Sequence, residues 1–88
     1  MNDELFLNER IKVLTNFGDG LNPCRPIKFK RLNGHEVEVT EIGMVHPTTK
    51  GVRMVHVFDV TDGQSDYRLE FDAERLNWHL TREADHAD

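Results

Sequence analysis

The chain has 88 residues, of which 38% are hydrophobic and 31% are charged, and its formal net charge is −5. A chain of this length forms one domain with a modest core, because it buries roughly 60 to 65% of its unfolded surface. The acidic balance argues against binding of a nucleic-acid backbone by the whole surface.

The first 25 residues predict a lead-in, a strand and a loop. Residues 1–8 hold too few apolar side chains to choose between a helical turn and an extended arm, so a loosely ordered lead-in is expected. Alternation of Ile11 and Val13 with charged neighbours favours a short strand over 9–15, although helical spacing also fits. Glycines and prolines then predict a loop over 16–25, because they break regular structure.

A hairpin is predicted around the Asn-Gly dipeptide at positions 33 and 34. A two-residue turn would direct the apolar residues of the two strands to opposite faces. A three-residue loop over 32–34, with Gly34 in the left-handed conformation of a G1 bulge, puts them on one face and is preferred. The apolar pairs it forms are Phe29 with Val37 and Ile27 with Val39.

The apolar parity of the chain changes after Thr40, from odd to even positions. A bulge or bend over 41–43, carried by Gly43, would absorb that change. A loop is predicted over 46–51. Residues 52–60 then form the longest predicted strand, and their apolar side chains on both faces are typical of a strand in the middle of a sheet.

The final hairpin, over residues 66–81, is the clearest predicted element. Pairing Phe71 with Leu76 leaves a four-residue loop over 72–75 and puts six apolar side chains on one face. A slip of one residue would turn one strand's apolar set to water, so the buried face selects the register. The six side chains are those of Tyr67, Leu69, Phe71, Leu76, Trp78 and Leu80.

These elements predict a mainly β fold. It is a five-stranded antiparallel meander, curled into a small roll or an SH3-like, partly open barrel. One domain covers residues 1–88, with the lead-in at 1–8, the β domain at 9–82 and a flexible polar tail at 83–88.

No catalytic or metal motif accompanies this pattern. The five histidines are separated by at least seven positions and no pair of cysteines supports them, so neither a metal site nor a cofactor is predicted. There is no phosphate loop, nucleophile elbow or dinucleotide fingerprint, and we expect no enzyme. A deep pocket that holds His56 or Cys24 beside a carboxylate would support an enzyme instead.

The single Cys24 cannot form an intramolecular disulfide, which indicates a reducing compartment. No apolar run approaches the roughly 18 residues of a transmembrane helix, and the start Met-Asn-Asp-Glu lacks the basic region of a secretory signal. We therefore expect a cytoplasmic protein without membrane contact.

The middle third of the chain is the candidate binding surface. Residues 20–53 carry six basic and three acidic groups, while 54–88 carry three and nine. A basic strand face binds nucleic acid in many small barrels, but Phe29 is predicted to point inward, so an exposed aromatic for stacking is missing. Glu36 and Glu38 also neutralise part of this face. Its basic residues are Arg25, Lys28, Lys30, Arg31, Lys50 and Arg53.

Several short runs carry a resemblance over most of residues 9–82. They are Glu9-Arg10-Ile11-Lys12-Val13, Arg25-Pro26-Ile27-Lys28-Phe29, Asn33-Gly34-His35-Glu36-Val37, Tyr67-Arg68-Leu69, Asp72 and Trp78-His79-Leu80. In these runs the chain resembles a family of small bacterial domains of unknown function, which look like stand-alone proteins or tails appended to Y-family polymerase-like proteins. The resemblance implies no catalytic residues, and the polymerase association slightly favours binding of nucleic acid or a partner.

We therefore expect a non-enzymatic bacterial interaction module that docks an unidentified protein partner against a sheet edge or the concave face. The alternative is an accessory nucleic-acid-binding domain that uses the basic face. A steep fall of affinity with salt would indicate phosphate contacts, and a flat response would exclude them. A homodimer is a further hypothesis, because the core is small and at least one sheet edge is expected to be unprotected.

Overall fold

The computed structural model describes residues 4–19 and 22–86. These residues form seven β-strands and no helix, and the strands pair antiparallel in one sheet. The strands are β1 (Glu4–Asp19), β2 (Asn22–Lys30), β3 (Glu36–Glu38), β4 (Glu41–Lys50), β5 (Arg53–Thr61), β6 (Ser65–Asp72) and β7 (Asn77–Asp85). Their order across the sheet is β3-β2-β1-β7-β6-β5-β4. The mainly β, antiparallel fold is confirmed, and the prediction of five strands is wrong.

The loop predicted over 16–25 is instead a strand pair. β1 continues past Thr15 and pairs with the start of β2, so that Phe17 lies opposite Cys24. Gly18 has a φ of 82°, and the glycines therefore mark the end of a hairpin and not a long loop. Residues 20 and 21 lie outside the described residues.

The loop predicted over 46–51 is mostly strand as well. β4 continues to Lys50 and returns through Gly51 and Val52, and Lys50 pairs with Arg53. Gly51 has a φ of 64°, as a two-residue hairpin turn with glycine at its first position requires. Pro47 does not break β4, because β4 is an edge strand and a missing N–H is tolerated on the open side.

Residues near both ends of the described range lie in the sheet. Residues 4–8, predicted as a loose lead-in, belong to β1, where Glu4 pairs with Ala84. Residues 83–85, predicted as a flexible tail, belong to β7, and Glu83 pairs with Tyr67. Residues 1–3, 87 and 88 lie outside the described residues.

The longest strand is β1 with 16 residues, and β7 is the middle strand of the order. The prediction that residues 52–60 form the longest and central strand is therefore wrong, since β5 has nine residues and lies next to the edge. Its apolar character on both faces is confirmed. Val55 and Val57 are buried on one face and Phe58 and Val60 on the other, whereas Val52 and Met54 are exposed.

The hairpin around Gly34 forms as predicted. Gly34 has a φ of 90°, Phe29 pairs with Val37, and the Val39 N–H donates to the Ile27 carbonyl at 2.9 Å. The side chain of Ile27 does not enter the core. A bulge shifts the register of β1 and β2 beside Ile27, and Pro26 is buried in its place.

A bulge forms at Gly43 as predicted, but it follows Ile42, so the change of parity between Val39 and Ile42 occurs at the break between β3 and β4. Ile42 pairs with Val60 and Val45 pairs with Phe58, so Gly43 and its neighbour share one opposite residue. This two-against-one arrangement is a β-bulge. It puts Val45, like Ile42, in register with a core residue of β5, but Val45 stays 51% exposed.

The register predicted for the final hairpin is wrong by two residues beside the turn, and by three beyond the bulge at Arg68 and Leu69, where Tyr67 pairs with Glu83. Phe71 pairs with Trp78, and Leu76 lies in the turn with a φ of 56°. The cause is Asp72, whose carboxylate accepts the backbone N–H groups of Glu74 and Arg75 at 3.0 and 3.1 Å. A shift of two residues keeps each side chain on its face, so the remaining apolar residues are buried as predicted.

The sheet curls around a single core. Only Val39 and Thr40 separate β3 from β4, the two edge strands, and the Thr40 N–H donates to the Thr61 carbonyl of β5 at 2.9 Å. The edges therefore meet at one corner, although β3 and β4 form no ladder and the sheet is not closed. The buried core cluster contains Ile11, Phe29, Val37, Phe58, Val60, Tyr67, Leu69, Phe71, Trp78 and Leu80.

Candidate functional site

A groove opens where β1 changes its partner. The first half of β1 pairs with β7, and this ladder ends where Ile11 meets Trp78. From Lys12 onward β1 pairs with β2 instead. Residues 12–17 therefore separate from the turn between β6 and β7, and a cavity of about 800 Å³ lies between them. We call this cavity the Trp78 groove.

The groove has an apolar floor and an exposed apolar rim. Trp78 and Phe71 form the floor, with their ring centroids 4.7 Å apart. Phe17 on the β1 wall approaches Phe71 with a centroid distance of 6.4 Å, and its side chain is 62% exposed. The other exposed apolar residues of the rim are Leu14, Leu32 and Leu76. A contiguous apolar surface of this kind typically marks an interaction site.

The wall of the groove offers unpaired hydrogen-bonding groups. The Arg31 N–H donates to the His35 carbonyl across the β2–β3 turn. Backbone groups along a strand point alternately to its two neighbours, so Phe29, two residues before Arg31, also bonds to β3 and not to β1. Val13 lies opposite Phe29, so its N–H and carbonyl point away from β2 and into the groove. Thr15 adds a buried hydroxyl that has no hydrogen-bond partner among the described residues.

Leu76 holds an unusual conformation at the groove rim. Its φ of 56° lies in the left-handed region, which branched side chains rarely adopt, and its side chain is 75% exposed. An apolar residue kept in a strained turn without burial points to a functional constraint. The position of Leu76 beside Trp78 makes docking the simplest reason for keeping it.

Leu76→Asn is expected to raise the free energy of unfolding by about 1 kcal/mol, because asparagine tolerates the left-handed region and little apolar burial is lost. Urea unfolding of the two proteins measures the difference. Leu32→Asn is the matched control, since Leu32 is equally exposed but has no positive φ. Equal effects of the two substitutions would contradict backbone strain at Leu76.

Cationic side chains border the groove on its outer side. Arg10 and Lys12 are exposed, line the groove, and form no ion pair among the described residues. Lys30 of β2 lies directly opposite Lys12. The rim therefore presents positive charge beside apolar side chains.

The six basic residues predicted as one face are not brought together. Arg25, Lys28, Lys30 and Arg31 belong to β2 and the residue after it, whereas Lys50 and Arg53 flank the β4–β5 turn. Three strands, β1, β7 and β6, separate β2 from β5 in the sheet. The predicted face is therefore divided between two parts of the sheet.

Most of these residues are engaged in ion pairs. Lys28 lies 3.4 Å from Glu36, Lys50 lies 2.9 Å from Glu70, and Arg53 lies 2.6 Å from Asp72. Arg31 pairs with Glu9 and Glu83. In the described part of the chain, Arg25 and Lys30 alone of the six form no ion pair. Lys30 joins Arg10 and Lys12, which sequence reasoning missed because the β1–β2 pairing was hidden by a predicted loop.

Both outer edges of the sheet are protected. β3 has only three residues, and two of them are glutamates. Lys50 of β4 and Arg53 of β5 flank the turn between these strands and exchange backbone hydrogen bonds. Because hydrogen-bonded and non-bonded pairs alternate along the ladder, the backbone nitrogen of Pro47 points toward the open edge. Short length, charge and proline are features that prevent pairing with another strand. Neither outer edge is therefore the unprotected edge that was expected, and the open backbone edge of the sheet is the inner one at Val13.

The chemistry of the cysteine agrees with a structural thiol. Cys24 is half-buried, and burial raises the pKa of its thiol, which disfavours the reactive thiolate. Across residues 4–19 and 22–86, no group of three or more His, Cys, Asp or Glu side chains is arranged to hold a metal ion.

Comparisons with models of protein families, with curated proteins and with solved structures gave no match. In the described part of the chain, no helix is long and apolar enough to cross a membrane. The resemblance to small bacterial domains stays a prediction, and the geometry of the groove carries the functional argument.

Proposed function

We propose that this chain is a protein-interaction module that captures an extended segment of a partner in the Trp78 groove. The observation that carries the proposal is that β1 leaves β7 at Ile11, which places an unpaired backbone edge directly beside an apolar floor. A strand added to β1 would hydrogen-bond to Val13 and cover Trp78. This mode of binding obtains affinity from the backbone and specificity from alternate side chains.

The groove also defines the chemistry of the partner. Side chains of an added strand alternate between two faces, so one set would meet Phe71 and Trp78. The other set would meet Arg10 and Lys12, which favour carboxylates. The six residues 12–17 span about 20 Å, enough for a partner strand of about the same length. We therefore infer a partner segment in which apolar and acidic residues alternate.

Of the docking surfaces expected from the sequence, a sheet edge or the concave face, we propose the inner edge of β1. The outer edges are blunted at Pro47 and by the short β3. The inner edge at Val13 is open and lies beside exposed apolar side chains. We also propose that the module is not an enzyme and that its sheet curls in an SH3-like way. We propose further that it is bacterial and cytoplasmic. A second copy of the chain is an alternative occupant.

Nucleic-acid binding is the second candidate function. The observation in its favour is Phe17, an exposed aromatic ring in the same groove as Arg10 and Lys12. Rings beside cations bind single strands by stacking and phosphate contact. The carboxylates of Glu36 and Glu38, on the strand next to Lys28 and Lys30, oppose this interpretation.

A fluorescence titration tests the proposed function, because the only tryptophan of the chain forms the groove floor. The probe is a peptide of about eight residues in which valine alternates with glutamate, long enough to span the wall. Saturable change of the Trp78 emission is expected. Phe17→Ser is expected to weaken binding about tenfold or more, as loss of an aromatic contact at an interface does.

Phe6→Ser is the matched control, because Phe6 is exposed on β1 but outside the groove. Equal weakening by the two substitutions would contradict the proposed site.

A peptide in which lysine replaces glutamate should bind more weakly, and equal binding would remove the role of Arg10 and Lys12. Tighter binding of a single-stranded oligonucleotide, with a steep salt dependence, would favour the second candidate. Sedimentation of the chain alone reports whether a second copy fills the groove.

A further inference from the structure

A second groove lies on the opposite face of the sheet. Asn77 and His79 alternate along β7 with the buried Trp78 and Leu80, so they face away from the core. Together with β5, β6 and the start of β1 they enclose a cavity of about 570 Å³. Sites for small ligands typically measure about 300 to 1,000 Å³. We call this cavity the His79 groove.

Positive charge is concentrated in the His79 groove although the chain is acidic overall. Five cationic side chains line it, against two carboxylates. Lys50 and Arg53 are balanced within the groove by Glu70 and Asp72. The remaining cations are Arg68, Arg75 and Arg82, with His79 beside them.

The remaining cations differ in their availability. Arg68 lies 2.8 Å from Asp59 and Arg82 lies 3.2 Å from Glu4, so each is partly neutralised from outside the groove. Arg75 is exposed and its side chain forms no ion pair among the described residues. A free guanidinium supported by paired ones favours an anion with several oxygens, because arginine binds such groups bidentately.

An exposed aromatic ring closes one end of the same groove. A bulge in β1 sets Leu7 and Asn8 opposite Thr81 and places Phe6 in register with Arg82. Arg82 is in turn in register with Arg68 on β6. Neighbouring strands lie about 4.8 Å apart, so the ring and the two guanidinium-bearing residues form a row about 10 Å long.

We propose that the His79 groove binds a small phosphate monoester that carries an aromatic group, such as a nucleoside monophosphate. The phosphate contacts Arg75, with His79 and Asn77 as further donors, and the aromatic group lies against Phe6. Phe6 is in register with Arg82, and His79 lies three residues before Arg82 on β7, a distance of about 10 Å that the two parts of one such ligand span. The two grooves share only Asn77 among their lining residues, and either proposal can fail without the other.

The test is an NMR titration of backbone amides with adenosine monophosphate. Amides of β6, β7 and residues 6–8 are expected to shift together and to saturate. Adenosine and inorganic phosphate, titrated separately, are each expected to bind about tenfold more weakly or worse, because each makes only part of the contacts. Arg75→Gln is expected to weaken binding of the monophosphate by about tenfold, the usual loss for one charge-assisted hydrogen bond.

Arg25→Gln is the matched control, since Arg25 is exposed on β2 and outside the groove. Arg75 is also exposed, so unchanged amide dispersion will show that its variant is folded. Shifts outside the groove, equal weakening by the two arginine variants, or no binding at millimolar ligand would overturn the proposal. Equal affinity for adenosine and its monophosphate would overturn the assignment of Arg75 to a phosphate.

Discussion

Arg31→Gln is expected to lower the free energy of unfolding by about 2–3 kcal/mol, because it breaks a partly buried ion-pair network. The Arg31 guanidinium donates to both oxygens of Glu9 at 2.8 and 3.2 Å and to Glu83 at 2.9 Å. These contacts join the residue after β2 to β1 and β7. Without the guanidinium, two partly buried carboxylates would lose the cation that they share.

The free energy of unfolding that Arg31→Gln removes should depend on pH. The hydrogen bond from Arg31 lowers the pKa of Glu9 below its ordinary value of 4.5, against the opposing effect of burial. A carboxylate with a lowered folded-state pKa adds stability above its unfolded pKa, and that stability disappears as the pH falls through the folded value. The natural protein should therefore lose more stability on acidification below about pH 4.5 than Arg31→Gln does.

Urea unfolding at pH 7 and at steps down to pH 3 measures both effects. Lys28→Gln is the control, because the Lys28–Glu36 pair is about half exposed and should contribute less than about 0.5 kcal/mol. Some acid sensitivity will remain in every variant. Burial opposes ionisation of Asp72, but the backbone N–H groups of Arg75 and Glu74 and the side chain of Arg53 lower its pKa. Equal losses for the two variants would contradict the network.

Local alternation predicted the strands well where one face is buried. The pairing of Phe29 with Val37 follows from the requirement that both strands bury the same face, and the structure has it. The bulge at Gly43 forms where it was predicted, although it follows Ile42 and does not cause the change of parity before it. Each of these features is decided within about 15 residues of sequence, where parity leaves few alternatives.

The predicted strand bounds and registers are wrong where a turn residue or a distant strand determines the pairing. Glycine and proline near residues 18–26 and at Pro47 suggested loops, but hairpin ends and an edge strand accommodate them. The register at Leu76 was decided by hydrogen bonds to Asp72, which apolar patterning does not include. Turn chemistry can shift a hairpin by two residues without moving any side chain to the other face.

The candidate site was largely hidden from sequence reasoning. The Trp78 groove exists because β1 exchanges β7 for β2 after Ile11, and no local pattern contains that event. Phe17 lay in a predicted loop and was given no role. Arg10 and Lys12 were visible as the charged residues of a strand, but their position beside Lys30 depends on a pairing between distant segments.

Leu80→Ala is expected to lower the free energy of unfolding by about 3–4 kcal/mol, more than any other substitution proposed for this chain. Leu80 is fully buried on β7 and pairs with Leu69, which is fully buried on β6. Removing its side chain leaves a cavity between strands that cannot close without moving the aromatic residues around it. A domain of this size has about 5–10 kcal/mol in total, so the variant should unfold at much lower urea concentration.

Leu76→Ala is the informative comparison, because the sequence pattern assigns both leucines to the same buried face. In the structure Leu76 is 75% exposed in the turn. Its substitution should therefore change the free energy of unfolding by less than about 0.5 kcal/mol. Similar losses for Leu76 and Leu80 would support the pairing of Phe71 with Leu76. A large difference between them would instead place the turn at residues 73–76 and keep Leu76 free to contact a partner at the rim of the Trp78 groove.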